Sequence, residues 1–258
     1  MNKFVKTSVA ALALVIGATL TTGSVEAAGA GQKLETRSWS VDGIFGKFDR
    51  PSLKRGFQVY AEVCASCHSL ELVSYRNLSA VGLTAEEIKE YAAEYEVEDG
   101  PNDDGEMFMR PARASDKIVS PFANEKEARA SNNGAYPPDL SLMAKARFHG
   151  PDYIYSLMTG YHEEPDGFEL NEGMSYNTAF GGNQIAMAQP LDEDSVEYAD
   201  GTKATLEQQS IDITNFLVWA ASPELEERKS LGIKVLLFLL VLTGMLYGLK
   251  RKIWADLH

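Results

Sequence analysis

The sequence predicts a mainly α-helical chain, in which a domain with long loop insertions is followed by one C-terminal transmembrane helix. Apolar residues recur at three- and four-residue steps in several segments, which is the period of an amphipathic helix. Long stretches rich in Gly, Pro and Asp separate these segments and predict loops. The segment from Leu231 to Leu249 is almost wholly apolar, and its roughly 19 residues match the hydrocarbon thickness of a bilayer.

Residues 1–27 are predicted to form a secretory signal peptide. Lys3 and Lys6 precede an apolar run from Val9 to Leu20, and small residues then lead to a predicted cleavage after Ala27. The run is short for a membrane span, and an uncleaved N-terminal anchor is the alternative. No arginine precedes Arg37, which argues against a mitochondrial transit peptide. We therefore expect a bacterial chain whose following domain is exported to the periplasm.

A helix predicted to begin at Pro51 leads directly to the segment Cys64-Ala65-Ser66-Cys67-His68. Gly56 lies on the apolar face of this helix, where its lack of a side chain would let another helix approach closely. That partner is predicted to be the last helix of the domain, which begins at Thr205 and is stopped by Pro223.

The C-x-x-C-H pattern is the attachment signature of a c-type haem. Each of Cys64 and Cys67 can form a thioether to one haem vinyl group, and His68 then lies beneath the iron as an axial ligand. A disulfide or a redox dithiol is the alternative for the two thiols. A zinc site with three or four cysteines is excluded because the chain contains only two. We therefore predict one covalent haem c in a class I cytochrome c-like domain at residues 28–229.

The predicted domain is strongly acidic. Residues 28–229 contain 18 Lys and Arg against 35 Asp and Glu, a formal net charge of −17. Ten of the acidic residues lie between Glu86 and Glu106, partly in a predicted insertion loop at 97–121. A second cluster comprises Glu163, Glu164, Asp166, Glu169 and Glu172. Such a surface repels nucleic acid and attracts basic proteins, although acidic loops also serve solubility alone.

The middle of the chain predicts the two faces of the haem. Residues 132–140 contain two consecutive prolines and form a loop, in which a proline carbonyl can accept the Nδ1–H of His68. Short helices are predicted at 141–147 and 152–159, and Thr84 with Glu87 predicts a capping box at an earlier helix. Residues 160–190 are then predicted to wrap the far side of the haem as a long structured loop.

The second axial ligand is predicted to be a methionine of that long loop. Met187 is favoured because apolar and turn-forming residues flank it, and Met174 is the alternative. Met143 and Met158 lie on apolar helical faces and are expected in the core. His149 and His162 are further candidates for this ligand but are expected to be surface residues, and His258 is expected to lie across the membrane from the haem.

The C-terminal apolar segment is predicted to be a membrane anchor at residues 230–250. The basic residues Lys250, Arg251 and Lys252 follow it directly and begin a predicted cytoplasmic tail at 251–258. An exported domain before the span and a basic cluster after it satisfy the positive-inside rule. A buried core helix is the alternative.

Several motifs together make the sequence resemble the cytochrome c1 family, the haem subunits of the ubiquinol–cytochrome c reductase (bc1) complex. The resemblance covers most of residues 39–254. Its motifs are Phe45-Gly46-Lys47-Phe48-Asp49, Arg55-Gly56-Phe57-Gln58-Val59-Tyr60 running into the haem signature, Asn132-Asn133-Gly134-Ala135, Pro137-Pro138-Asp139-Leu140-Ser141, Ala146-Arg147, Asp152-Tyr153, Leu157-Met158-Thr159-Gly160-Tyr161, Ile185-Ala186-Met187-Ala188, Asp200-Gly201-Thr202 and Phe216-Leu217-Val218-Trp219-Ala220.

The resemblance implies roles for individual residues. It makes Met187 the axial methionine and places Arg147 and Tyr153 at the haem propionates, where a guanidinium suits a carboxylate. It places Pro138 behind the axial histidine and Asn132 in contact with the haem pocket. Some bacterial relatives carry an additional disulfide in the distal region, and this chain has no cysteine left to form one.

The resemblance also implies the partners and the place of action. Electrons would come from a Rieske iron–sulfur protein and pass to a soluble c-type cytochrome, with cytochrome b as the membrane neighbour in a dimeric complex. The haem domain would lie on the periplasmic side of the bacterial cytoplasmic membrane. The chain would be an electron carrier and not an enzyme on its own. The alternatives are an anchored cytochrome that serves a terminal oxidase or nitrogen-oxide reductase, and a haem peroxidase with an open distal position.

Overall fold

The computed structural model describes residues 34–255, and this part of the chain is mainly helical as predicted. The predicted signal peptide lies outside the described residues. The α-helices are α1 (Arg50–Glu62), α2 (Ala85–Ala93), α3 (Glu125–Ser131), α4 (Met143–Ala146), α5 (Gly150–Thr159), α6 (Leu206–Ala221) and α7 (Leu225–Ile253). Short 3₁₀ turns lie at Cys64–Ser66, Tyr75–Val81 and Gly181–Asn183.

Two small antiparallel sheets interrupt the loops. Strand β1 (Glu96–Asp99) pairs with β2 (Phe108–Pro111), and β3 (Ser175–Tyr176) pairs with β4 (Gln184–Ile185). The first pair corrects the prediction that residues 97–121 form only a loop. Arg110 explains the difference, because its guanidinium binds Asp99 within the hairpin and Asp116 beyond it, the latter at 2.6 Å. These charge-assisted hydrogen bonds stabilise strands too short to be detected from alternation.

The predicted helix starts are confirmed by their capping contacts. Asp49 accepts a hydrogen bond from the Ser52 amide at the start of α1, at 3.3 Å. At α2 both arms of the capping box are present: Glu87 N donates to Thr84 Oγ1 at 3.2 Å, and Thr84 N donates to Glu87 Oε2 at 2.6 Å. Thr205 likewise caps α6. Local sequence therefore determines where these three helices begin.

The contact between α1 and α6 forms the centre of the domain. Gly56 makes it possible, because a Cβ at this position would lie only 2.0 Å from the Asp212 carbonyl oxygen and 2.7 Å from Phe216 Cβ. Phe216 packs against Phe57 and Tyr60, with ring centroids 5.8 and 5.6 Å apart. The predicted close approach of the last domain helix across Gly56 is thus confirmed.

A buried polar network joins the same two helices. Asp212 is fully buried, and its carboxylate accepts hydrogen bonds from Ser52 Oγ at 2.6 Å and from Arg55 Nε at 2.8 Å. The bond to Asp212 is the largest cause of the raised pKa of the Arg55 guanidinium, and a second bond to Asp200 adds to it. Because a buried carboxylate needs such partners, the network fixes the register of α1 on α6.

Helix α7 continues well beyond the predicted anchor at its N-terminal end. It begins at Leu225, six residues before the apolar segment, and none of its residues is buried. Its apolar part is long enough to span a membrane. The alternative of a buried core helix is therefore wrong, since the apolar side chains have no protein around them in the described part of the chain.

Candidate functional site

The haem signature forms one closed turn at the end of α1. The amides of Cys67 and His68 both donate to the Cys64 carbonyl oxygen, at 3.1 and 2.9 Å. The buried Tyr60 hydroxyl donates to the His68 carbonyl oxygen at 3.2 Å. These bonds hold two thiols and one imidazole on a single short segment, which is the arrangement that covalent attachment at three points requires.

Both thiols are free in this structure, so the disulfide alternative is not present. Burial raises the pKa of the Cys64 thiol to about 12, and the neighbouring Cys67 contributes to the rise. A redox dithiol needs the opposite shift, because the thiolate is its nucleophile. The environment of Cys64 therefore disfavours the redox-dithiol alternative.

The His68 ring is oriented by the proline loop, as predicted. Its Nδ1 donates to the Pro138 carbonyl oxygen at 2.8 Å. A carbonyl oxygen can only accept, so Nδ1 carries the proton and Nε2 keeps a lone pair for a metal. Burial lowers the pKa of His68, outweighing the opposite effect of the Pro138 bond. The imidazole is consequently neutral at pH 7, which metal ligation requires.

Asp139 holds the proline loop against the haem signature, and sequence reasoning gave it no role of its own. Its carboxylate accepts hydrogen bonds from Ser69 Oγ at 2.9 Å, from Glu71 N at 2.8 Å and from Ser141 N at 2.9 Å. The last of these is an Asx turn, a local pattern that the sequence does signal. The contacts to residues 69 and 71 span 70 and 68 positions and have no local signal.

A hydrogen bond from Tyr161 holds the backbone of the loop at Met187. The hydroxyl of Tyr161 donates to the Met187 carbonyl oxygen at 3.1 Å, and the Met187 side chain packs against the domain core. Burial raises the pKa of Tyr161, so the hydroxyl keeps its proton. Met174, the alternative ligand, is half-buried, and no tyrosine donates to it among residues 34–255. Tyr161 went undetected because its contact crosses 26 positions.

Replacing Tyr161 with phenylalanine is expected to weaken ligation by Met187 once haem is bound. The lost hydrogen bond is worth about 1 kcal/mol, which corresponds to a roughly fivefold larger equilibrium constant for loss of the methionine. The near-infrared methionine–iron band should therefore disappear at a lower denaturant concentration than in the unmodified protein. Tyr247→Phe is the matched control, because Tyr247 is exposed on α7. Equal midpoints for both variants would contradict the role given to Tyr161.

The remaining predicted haem contacts have different surroundings. Tyr153 is buried on α5, whereas Arg147 is exposed and pairs with no carboxylate among the described residues. The Asn132 amide nitrogen donates to the Ala128 carbonyl oxygen at 2.7 Å. The Arg147 guanidinium is therefore available to bind an anion. In Asn132, one side-chain N–H is already used in the bond to Ala128.

The other described histidines lie at the surface and Met143 and Met158 lie in or against the core, as the sequence predicts. His149 and His162 are exposed, and His258 lies outside the described residues. Met158 is buried and Met143 packs against the core. The geometry thus brings together two thiols and an imidazole with a free Nε2, and it tethers a methionine loop. That donor set has the chemistry that a covalent haem with histidine and methionine ligands requires.

Comparisons with known proteins give a consistent result. The model of the "Cytochrome C1 family" matches residues 39–257. The chain is 48% identical over 272 aligned positions to "Cytochrome c1" of Rhodospirillum rubrum, covering 99% of both chains. It is 52% identical to "Cytochrome c1 1, heme protein, mitochondrial" of Arabidopsis thaliana, over 85% of this chain and 71% of the relative. It is 44% identical to "Cytochrome b/c1" of Bradyrhizobium diazoefficiens, over 96% of this chain and 40% of that longer protein.

Proposed function

Because the chain belongs to the cytochrome c1 family, we propose that it carries single electrons from a Rieske iron–sulfur protein to a soluble c-type cytochrome. Membership makes it a haem electron-transfer subunit of the bc1 complex with one covalent c-type haem. The observation that carries the proposal is the His68 ring, which Pro138 orients at 2.8 Å beside two free thiols.

The residues that hold the haem follow from this donor set. Cys64 and Cys67 would form the two thioethers to the haem, and His68 Nε2 and the Met187 sulfur would ligate its iron. When bound, the haem supplies a reversible one-electron change between Fe(II) and Fe(III). With His68 and Met187 both bound to the iron, no position would be left for a substrate, so the chain on its own would act as a carrier and not as an enzyme.

The residues around the haem edge complete the proposed site. Arg147 binds a propionate, for which its unpaired guanidinium is suited, and Tyr153 contacts the propionates from α5. Pro138 supports the axial histidine through its carbonyl. Asn132 contacts the pocket through its side-chain amide, one N–H of which is already donated to the Ala128 carbonyl oxygen.

The proposed place of action is the cytoplasmic membrane of a bacterium. Residues 1–27 act as a signal peptide, residues 28–229 form the periplasmic domain, α7 crosses the membrane at 230–250, and residues 251–258 lie in the cytoplasm. The basic cluster after the apolar segment supports this direction. The relative named "Cytochrome b/c1" supports cytochrome b as a membrane neighbour. The complex is proposed to be dimeric.

Co-purification tests this assignment against its main alternative. The full-length chain is isolated with an affinity tag from membranes solubilised in a mild detergent. Cytochrome b and a Rieske protein in the eluate support the proposal. A terminal oxidase or nitrogen-oxide reductase in their place would reject it.

Exposed carboxylates provide the proposed docking surface for a basic acceptor. The residues Glu163, Glu164, Asp166, Glu169 and Glu172 are all exposed, and none of them forms a salt bridge within residues 34–255. This acidic cluster and Met187 lie on the same long loop, residues 160–190. Within that loop the Asn171 amide donates to Gln184 Oε1 at 3.1 Å, which joins the acidic part to the part that carries Met187. An acceptor held there would be close to the proposed axial methionine.

Reversing these charges is expected to slow the reaction with a basic cytochrome. Electrostatic steering raises association rates by roughly 10- to 1,000-fold at low salt. Glu163→Lys, Glu164→Lys and Asp166→Lys combined should therefore lower the on-rate at least tenfold and flatten its salt dependence, as measured by stopped-flow spectroscopy. The triple variant Asp103→Lys, Asp104→Lys and Glu106→Lys, with the same charge change on the β1–β2 hairpin, should lower it less. Equal decreases in the on-rate for the two triple variants would show that the Glu163–Glu172 cluster is not a specific docking surface.

A further inference from the structure

Two large apolar side chains stand exposed at the tip of a tight turn before α1. This turn, residues 41–46, carries Ile44 at 66% exposure and Phe45 at 76%. It closes so tightly that a Cβ at Gly46 would lie 2.2 Å from the Asp42 carbonyl oxygen. The turn therefore holds its apolar tip in a fixed position, where it contributes nothing to the domain core.

The turn is attached to the first part of α7. Lys229 Nζ donates to the Val41 carbonyl oxygen and, at 3.3 Å, to the Gly46 carbonyl oxygen. One helical turn earlier, Glu226 Oε1 accepts a hydrogen bond from Phe48 N at 2.7 Å. These two contacts come from helix positions about 4.5 Å apart along the axis, so residues 46–48 lie beside the first turns of α7.

The Lys229 contacts hold the turn close to the point where the apolar segment begins. Leu231 lies only about 3 Å beyond Lys229 along the helix axis. Lys47, directly after the turn, is exposed and forms no salt bridge in the described part of the chain. The Asp42 carboxylate is engaged by the Trp39 amide at 2.8 Å. Exposed apolar side chains beside a free lysine suit a membrane–water interface, where the lysine keeps its ammonium in water.

We propose that the 41–46 turn inserts Ile44 and Phe45 into the headgroup–acyl boundary of the bilayer that α7 crosses. Lys47 then reaches the lipid phosphates. This inference rests on the proposed membrane span of α7. The turn and the helix together contact the bilayer at two points, so they fix the tilt of the haem domain, which a single helix would leave free.

Site-directed spin labelling of the full-length holoprotein in phosphatidylcholine vesicles tests the proposal. The thioethers consume Cys64 and Cys67, so a cysteine introduced by Phe45→Cys or Ile44→Cys is the only thiol available to a nitroxide. Collisions with oxygen, which concentrates in lipid, are compared with collisions with a water-soluble nickel chelate. Labels at both tip positions should collide more with oxygen than a label placed by Met107→Cys, an exposed apolar residue of the acidic segment before β2.

A label placed by Leu236→Cys in the apolar part of α7 distinguishes failure of the interfacial turn from failure of the membrane span. Oxygen accessibility at 236 together with nickel accessibility at 44 and 45 would overturn the interfacial turn and leave the span intact. Low accessibility to both reagents at 44 and 45 would also overturn it, because the tip would then be covered by protein. Nickel accessibility at 236 would overturn the span itself.

Discussion

Met187→Leu is expected to lower the reduction potential of the holoprotein on the order of 100 mV or more and to open the ferrous iron to carbon monoxide. A thioether ligand raises the potential of a haem, and axial ligands together with their surroundings vary haem potentials over about 0.8 V. Leucine keeps a similar apolar volume but cannot ligate, so the loop should still pack. Redox titration and the spectrum of the reduced protein under CO measure the two effects.

Met174→Leu is the matched control for this experiment. It removes a half-buried methionine from the same long loop, and the potential and the resistance to CO should both be retained. If Met174→Leu instead produced the loss, the alternative ligand would be correct. Rapid binding of CO to the unmodified reduced protein would contradict the carrier function, because that function requires iron ligated on both sides.

Gly56→Ala should produce the largest loss of stability of any single methyl addition in the α1–α6 contact. The new Cβ would lie 2.0 Å from the Asp212 carbonyl oxygen, so the two helices must separate. Overpacking typically costs about 1–3 kcal/mol and occasionally more, and here the neighbour is backbone that cannot rotate away. The separation would also lengthen the buried Arg55–Asp212 bonds. We therefore expect a loss of about 3 kcal/mol or more in the free energy of unfolding.

Denaturant unfolding, followed through haem absorption, measures this loss. Gly244→Ala is the control, because a Cβ at this helical position meets nothing within 4 Å. Its effect should stay within about 1 kcal/mol, in the direction that favours alanine in a helix. A Gly56→Ala protein as stable as the control would show that the helices do not depend on close approach at this position.

Local sequence predicted the parts of this fold that local chemistry determines. Thr84 and Thr205 mark helix starts through bonds that reach only three positions. Gly56 was identified because it is the smallest residue on an otherwise apolar helical face. The haem signature was identified because attachment chemistry dictates its spacing.

The missed contacts are those between residues distant in sequence. Tyr161 holds the methionine loop across 26 positions, and Asp139 joins the proline loop to Ser69 across 70. The β1–β2 hairpin was predicted as a loop because its stability comes from Arg110 and not from a hydrophobic pattern. Single-sequence reasoning has no signal for such pairings, because each residue type is compatible with many partners.

The central claim is that one haem is bound covalently through Cys64 and Cys67. The pyridine haemochrome spectrum tests it most directly, on full-length protein washed with acidified organic solvent to remove non-covalent haem. The account predicts retained colour and the α-band position of a haem whose two vinyl groups are both saturated. A colourless protein from cells that mature other c-type cytochromes, or the band of a haem with free vinyl groups, would contradict it.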